Sequence, residues 1–303
     1  MEPNWQLARK RPTLAKRARI VQTIRAFFIE QGFLEIETPQ RIPANAPEFY
    51  IDAVPSGDWF LQTSPELAMK RLLAAGYGNI FQISHCWRDG ERGKQHLPEY
   101  SMLEWYRPDC DYKSLMDDCE KLLLHLTAKN NLNYQGQSID LTPPWPRLTV
   151  QQAFDKYSSS SLSTALEAGS FDSCISTEIE PNLPVDRPTI LLDYPASQAT
   201  LGRINKSNPA VAERFELYLG GMELANGFSE LINQQEQQLR FETEETARRT
   251  AGKPAYREAT PFLNELATMP TAAGIAMGID RLIMLLCDQN QIDNVVAFPP
   301  ELL

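Results

Sequence analysis

The chain has five cysteines in 303 residues, and no two of them form a C-x-x-C pair. Histidines number only three. Zinc sites are built from clustered thiolates and imidazoles, and a disulfide framework needs an even, regularly spaced cysteine set. Cys86, Cys110, Cys119, Cys174 and Cys287 offer neither, which fits a reducing cytoplasm. No apolar stretch approaches the roughly 20 residues of a membrane helix. The N-terminal "MEPNWQLARKRPTLAKRARI" has charges but lacks the apolar centre of a secretion signal. Positive charge is not in excess either. The formal net charge is −10, whereas a chain whose main task is gripping nucleic acid is usually basic. No P-loop and no G-x-G-x-x-G is present.

What is present is enough apolar material for a large core. Hydrophobic residues make up 43% and charged residues 22%. Thr13 is a cap for a helix running to about Gln31, with Ala18, Val21, Ile24 and Phe28 on one face. "FLEIETP" alternates as a strand ending at Pro39. "TSPELAMKRLLAAG" reads as a helix with Ser64 at its cap and Pro65 in first position. "NIFQISHCWR" and "EYSMLEWY" read as strands joined by the polar loop "DGERGKQHLP". Residues 111–129 form an amphipathic helix. Residues 131–188 suggest only short helices and loops. "TILLDYP" is a buried strand, residues 229–250 are helical, and "AGIAMGIDRLIMLL" is a strand running into a helix. Antiparallel strands flanked by helices make the expected class α+β, in a single domain over 1–303.

"RFELYLGGMELANGFSEL" places Glu216, Glu223 and Glu230 among residues that favour burial. Gly220-Gly221 is a strong signal for a two-residue hairpin turn. An unbroken register then pairs Leu219 with Met222, Tyr218 with Glu223, and Glu216 with Ala225. Alternation puts Glu216, Tyr218 and Glu223 on one face, opposite Phe215, Leu217, Leu219, Met222 and Leu224. Carboxylates that are diagonal neighbours, roughly 7–8 Å apart, repel unless a cation lies between them. Magnesium carrying a nucleotide phosphate suits such a pair, and so does an unrelated solvated face. Gly227 allows a turn, so alternation does not place Glu230.

The same alternation aligns Tyr100, Met102, Glu104 and Tyr106. Arg88 ends the preceding strand, and Arg281 lies in the first turn after "GIAMG". Guanidiniums chelate phosphates in bidentate fashion, and an aromatic plane can stack on a base. Each residue taken alone is equally an ordinary surface charge or core filler.

These segments, taken in order, resemble the signature motifs of class II aminoacyl-tRNA synthetases. "EQGFLEIETP" is similar to motif 1, "FQISHCWRDGERGKQHLPEYSMLEWY" to motif 2 and "GIAMGIDRL" to motif 3. The match is closest to lysyl-tRNA synthetases, which share the glutamate hairpin and "NGFSEL". Those enzymes carry an N-terminal anticodon-reading domain, for which this sequence leaves no room. A stand-alone core, with "PASQA", "MLEWYRP" and "MELANGF", resembles the family of elongation factor P–(R)-β-lysine ligases. Ser64 and Ala276 point the same way. Synthetases for α-lysine tend to have Ala before Pro-Glu, and Gly at the centre of Gly-x-Gly-x-Gly.

The resemblance implies site residues. Arg88 and Arg281 would bind the α- and γ-phosphates of ATP, with adenine between Tyr100 and Arg281. Asp89, Gly90, Glu91, His96, Leu97, Leu217 and Gly278 would complete the ATP site. Glu216 and Glu223 would hold Mg2+ with ATP. Ser64, Pro65, Glu66, Glu104, Tyr106, Glu223, Asn226, Glu230 and Ala276 would form the amino-acid site. Two motif 2 positions depart from the pattern. Gly90 stands where Glu contacts adenine, with Glu91 next to it, and Leu97 stands where Asn follows the motif His.

The implied reaction is adenylation of (R)-β-lysine by ATP, followed by transfer to a lysine of elongation factor P. The implied partners are elongation factor P and a second copy of the chain through motif 1, with neither tRNA nor a membrane. The basic run Arg9, Lys10, Arg11, Lys16, Arg17 and Arg19 is a docking face for that acceptor or a solvated helix face. A shortened lysyl-tRNA synthetase and a synthetase-like regulator without catalysis remain the alternatives.

Overall fold

The computed structural model describes residues 4–303. An eight-stranded sheet organises them. In chain order its strands are β1 (Leu34–Glu35), β2 (Ile80–Trp87), β3 (Glu99–Pro108), β4 (Arg147–Thr149), β5 (Thr189–Pro195), β6 (Val211–Leu219), β7 (Met222–Ser229) and β8 (Ala272–Gly278). Their spatial order is β1-β2-β3-β8-β7-β6-β5-β4. Only the outermost pairs, β1 with β2 and β4 with β5, are parallel. This is the α+β class expected from the pattern of elements.

One face of the sheet is closed by three helices: α1 (Trp5–Glu30), α2 (Tyr112–Thr127) and α3 (Ile279–Leu286). Ile24 and Phe28 of α1, Leu115 and Leu122 of α2, and Leu282 and Leu285 of α3 form one apolar cluster with Leu103, Trp105, Phe215, Leu217, Ile275 and Met277. Strand alternation does the sorting. Ala273, Ile275 and Met277 enter this core, while Gly274, Ala276 and Gly278 line a cavity on the other face. Two further helices stand beside that cavity, Glu66–Ala74 and Gln234–Thr250.

Several elements differ from the expectation. Helix α1 begins at Trp5 and carries Pro12 inside it. Its first turns are held from outside, because Lys10 is buried and its Nζ donates to Val296 O at 3.1 Å. Ala18 is exposed, and the buried stripe is Ile20, Ile24, Phe27 and Phe28. The strand in "FLEIETP" pairs over two residues only. Residues 131–188 include strands: Asn131–Tyr134 pairs with Gln137–Asp140, and β4 joins the main sheet. The short helices that follow pack Phe154, Phe171 and Ile179 against Leu191, Tyr194 and Tyr218.

Half of the basic run is tied to other parts of the chain. Lys16 donates to Leu286 O, and Arg17 pairs with Asp280 at 2.5 Å while donating to Ser101 Oγ at 2.9 Å. With Lys10 also anchored, Arg9, Arg11 and Arg19 are left as exposed cations without such ties. No helix among the described residues is long and apolar enough to cross a membrane.

Candidate active site

The hairpin turn forms at Gly220-Gly221 as expected, both with positive φ. The expected register holds for Leu219 with Met222 and then breaks after the next pair. Tyr218 pairs with Glu223, but Leu217 pairs with Ala225 and Glu216 with Asn226. Leu224 is an extra residue in β7, a bulge that shifts every later residue by one place. Asn226 thereby shares the cavity face with Glu216, and Ala225 turns into the core. Nor does the chain turn at Gly227. That residue sits inside β7, where a Cβ would lie 2.7 Å from Phe215 Cε1.

Cross-strand pairing then builds two rows over the cavity face. One runs Gln82, Glu104, Ala276, Asn226, Glu216. The next runs Ile80, Tyr106, Gly274, Phe228, Arg214. The cavity holds about 900 Å³.

Acids gather at one end. Glu104 accepts from Ser64 Oγ at 2.6 Å and from Tyr106 Oη at 2.9 Å. Ser64 Oγ also accepts from Glu66 N, the first residue of the helix, at 3.0 Å, so one hydroxyl serves the helix start and the site. Lys70, fully enclosed, bridges Glu66 Oε1 at 2.6 Å and Glu230 Oε2 at 2.5 Å. Gly274 is what lets this group close up, because a Cβ there would overlap the Tyr106 ring and Glu230 Oε1. Burial, reinforced by the Glu66 charge, pushes the Glu104 carboxyl up to about 8. Burial also raises Glu230, against the pull of Lys70. Lys70 is held protonated by its two carboxylates despite its burial. Three carboxylates with one ammonium leave a site short of positive charge.

Cations gather at the other end. Arg88 lies with its guanidinium 5.3 Å from the Tyr100 ring centroid and 3.7 Å from Glu91, and its Nε is buried without a hydrogen-bond partner. Arg281 donates to Glu223 O at 2.7 Å and to Gln95 O at 3.3 Å, and its other nitrogen meets His96 Nε2. Burial and Arg281 lower the His96 pKa, so the ring is neutral near pH 7. Buried donors without partners are costly unless an anion meets them. This end is suited to phosphate.

Between the two ends stand Glu216 and Glu223. Glu216 Oε2 accepts from Tyr194 Oη at 2.5 Å and Tyr218 Oη at 2.6 Å, while Oε1 accepts from Arg214 at 2.7 Å. Glu223 has only the 3.5 Å approach of Arg281, and burial together with the Glu216 charge raises its carboxyl to about 7. Among the described residues no group of three or more His, Cys, Asp or Glu could hold a metal. Mg2+ suits such a site, because it is usually held by one or two carboxylates together with substrate phosphates. Glu223, the freer carboxylate, fits that habit better than Glu216, whose oxygens are already engaged.

The structure gathers Ser64, Glu66, Arg88, Glu91, His96, Leu97, Tyr100, Glu104, Tyr106, Glu216, Glu223, Asn226, Ala276, Gly278 and Arg281 on one cavity wall. Five of the expected residues lie off that wall. Asp89 and Gly90 are exposed on the loop, Pro65 is buried behind Ser64, and Glu230 lies beneath the wall against Lys70. The Leu217 side chain points into the core, as alternation from Glu216 requires. Glu91, not Gly90, reaches Arg88. Leu97 is mostly buried and packs in the core cluster. Lys70, Arg214 and Tyr194 were not among the expected site residues, while Tyr218 was placed on the Glu216 face by alternation without a role. For Lys70 a signal existed, since Glu66 and Lys70 are four apart on one helix.

Comparison with known proteins agrees with this geometry. The family described as tRNA synthetases class II (D, K and N) matches residues 5–301. A protein of Proteus mirabilis named elongation factor P–(R)-β-lysine ligase is 37% identical, covering 98% of this chain and 97% of its own length. Proteins with the same name from Mannheimia succiniciproducens and an Enterobacter species are 38% and 36% identical, each over 97% of both chains.

Proposed function

This chain belongs to the class II tRNA synthetase family, and we propose that it activates (R)-β-lysine with ATP and ligates it to a lysine of elongation factor P. The observation that carries the reading is the polarity of one cavity. An acidic end formed by Glu66 and Glu104 is continuous with a cationic end formed by Arg88 and Arg281. A substrate with two ammonium groups and one carboxylate fits across it. The ammoniums supply the positive charge that the acidic end lacks, and the carboxylate is directed toward the phosphates.

In the first step a carboxylate oxygen attacks the α-phosphorus and pyrophosphate leaves. Arg88 and Arg281 are placed to stabilise the charge on the phosphates, where catalysis of such a step mainly lies. Glu223, with Glu216 behind it, would hold Mg2+, which supplies further charge neutralisation when bound. No side-chain nucleophile is required. In the second step the acceptor amine attacks the adenylate carbonyl, giving an amide and AMP.

The relatives' names support the choice of amino acid and acceptor, as does Ala276, whose methyl stands between Glu104 and Asn226 in one cross-strand row. The exposed Leu34, in the segment that resembles motif 1, and the exposed Ile29 just before that segment support a homodimer. The site of action is then the cytoplasm, where elongation factor P works. ATP–pyrophosphate exchange with (R)-β-lysine and with α-lysine, followed by mass measurement of elongation factor P, tests the reading.

A further inference from the structure

Transfer to an amine needs the amine free. A lysine ε-ammonium has a pKa of about 10.4, so near neutrality almost none of it is nucleophilic. The carboxylates of the cavity are nearly all engaged. Glu66 and Glu230 hold Lys70, Glu104 accepts from Ser64 and Tyr106, and Glu216 accepts from Arg214, Tyr194 and Tyr218. Arg281 approaches Glu223, Arg88 approaches Glu91, Asp280 is locked to Arg17, and Glu244 accepts from Phe49 N. Asp172 stands on the exposed rim.

Glu48 is different. It lines the same cavity, and among the described residues its carboxylate has no hydrogen-bond or ion-pair partner. Its backbone is nevertheless fixed. Arg248, with no exposed surface, donates to Glu48 O at 2.7 Å and to Ile51 O at 2.9 Å, and it meets Asp52 at 3.0 Å. Next to it, Tyr50 is 76% exposed at the mouth. A carboxylate that is free in its bonding, carried on an anchored backbone and only two residues from an exposed side chain is suited to receive an incoming cation.

We propose that Glu48 is the proton acceptor of the transfer step, taking a proton from the acceptor lysine's ε-ammonium as that side chain enters the cavity. The inference rests on the ligase reading above. The freed amine attacks the adenylate carbonyl carbon, the C–N bond forms, the C–O bond to phosphate breaks, and AMP leaves. As the intermediate collapses, the second proton of the amine passes to the phosphate of the departing AMP, and Glu48 returns its own to solvent. The charged groups acting on Glu48 are Arg88, Glu66, Arg214 and Glu244, from four different segments. Burial outweighs the pull of Arg88 and raises the carboxyl to about 7, within the range where a general base works best at neutral pH.

The test is single-turnover transfer from enzyme-bound β-lysyl adenylate to elongation factor P across pH, in the wild type, Glu48→Gln and Glu48→Asp. Wild-type transfer should rise to about pH 7 and then level off. In Glu48→Gln, transfer relative to pyrophosphate exchange should fall about 10²–10⁴-fold at neutral pH, the usual worth of a positioned base. It should also keep rising about tenfold per pH unit above 7, following the free amine. Glu48→Asp should keep the plateau at a lower rate. Equal transfer and equal pH profiles in wild type and Glu48→Gln overturn this role alone. No transfer by the wild type overturns the ligase reading and this inference with it.

Discussion

Asn226 lies directly across from Glu216 because β7 carries one extra residue, Leu224. Without that bulge Asn226 would face the core and Ala225 the cavity. The amide instead joins the row Glu104, Ala276, Asn226, Glu216, and a polar group that donates and accepts is added between the acidic end and the phosphate end.

That row makes Ala276 a sharp probe. β-Lysine carries its amine one carbon farther from the carboxylate than α-lysine does, so a site shaped for one misplaces the other. Ala276→Gly should shift the ratio of kcat/KM toward α-lysine by about 10–200-fold, the usual worth of a methyl-sized change in a pocket. A ratio unchanged from wild type would leave the Ala276 methyl as packing only.

Glu223 and Glu216 should differ in how they fail. Replacing either with Gln should lower adenylate formation by orders of magnitude while far-UV circular dichroism stays native. Glu223→Gln should in addition raise the Mg2+ concentration needed for half-maximal exchange. Glu216→Gln should raise it less, because its oxygens serve Arg214, Tyr194 and Tyr218. Near-normal exchange in Glu223→Gln would remove it from the reaction.

At Gly274 the floor of the acidic end has no room for a side chain. Gly274→Ala should lower stability by about 1–3 kcal/mol, the typical result of overpacking. It should also raise the KM for β-lysine far more than the KM for ATP, because Tyr106 and Glu230 must move. Equal changes in the two constants would contradict this placement.

The ligand-free protein should lose stability as pH rises. Burial lifts Glu104 to about 8 and Glu223 and Glu48 to about 7. In the unfolded chain these carboxyls titrate near about 4.3. Between those values the folded state binds more protons than the unfolded state, so stability falls with rising pH across that window. Tm should therefore drop between about pH 5.5 and about pH 8.5, and saturating (R)-β-lysine should flatten the drop by supplying ammonium groups. A Tm that rises over this range would mean that these carboxylates are stabilised in their charged form.

Much of this was legible in the chain and some was not. Alternation aligned Tyr100, Met102, Glu104 and Tyr106, all of which line the cavity, and Gly220-Gly221 placed the turn. The bulge at Leu224 left no local trace, because nothing in its composition distinguishes an extra strand residue from a paired one. Tyr194 reaches Glu216 from the neighbouring strand, which periodicity does not report, whereas Arg214 and Tyr218 are alternate residues of the Glu216 strand itself. The start of α1 was misplaced because Pro12 is locally a poor helix residue, and tertiary anchoring through Lys10 overrides it.

The central claim is a ligase that joins β-lysine to a protein, and one coupled measurement tests it most directly. The protein is incubated with ATP, Mg2+ and either (R)-β-lysine or α-lysine, pyrophosphate exchange is measured, and the masses of elongation factor P and of tRNA-Lys are then determined. A β-lysine ligase gives exchange that strongly favours (R)-β-lysine, elongation factor P heavier by one lysyl group, and uncharged tRNA. Exchange driven by α-lysine, with charged tRNA and unmodified elongation factor P, would contradict it.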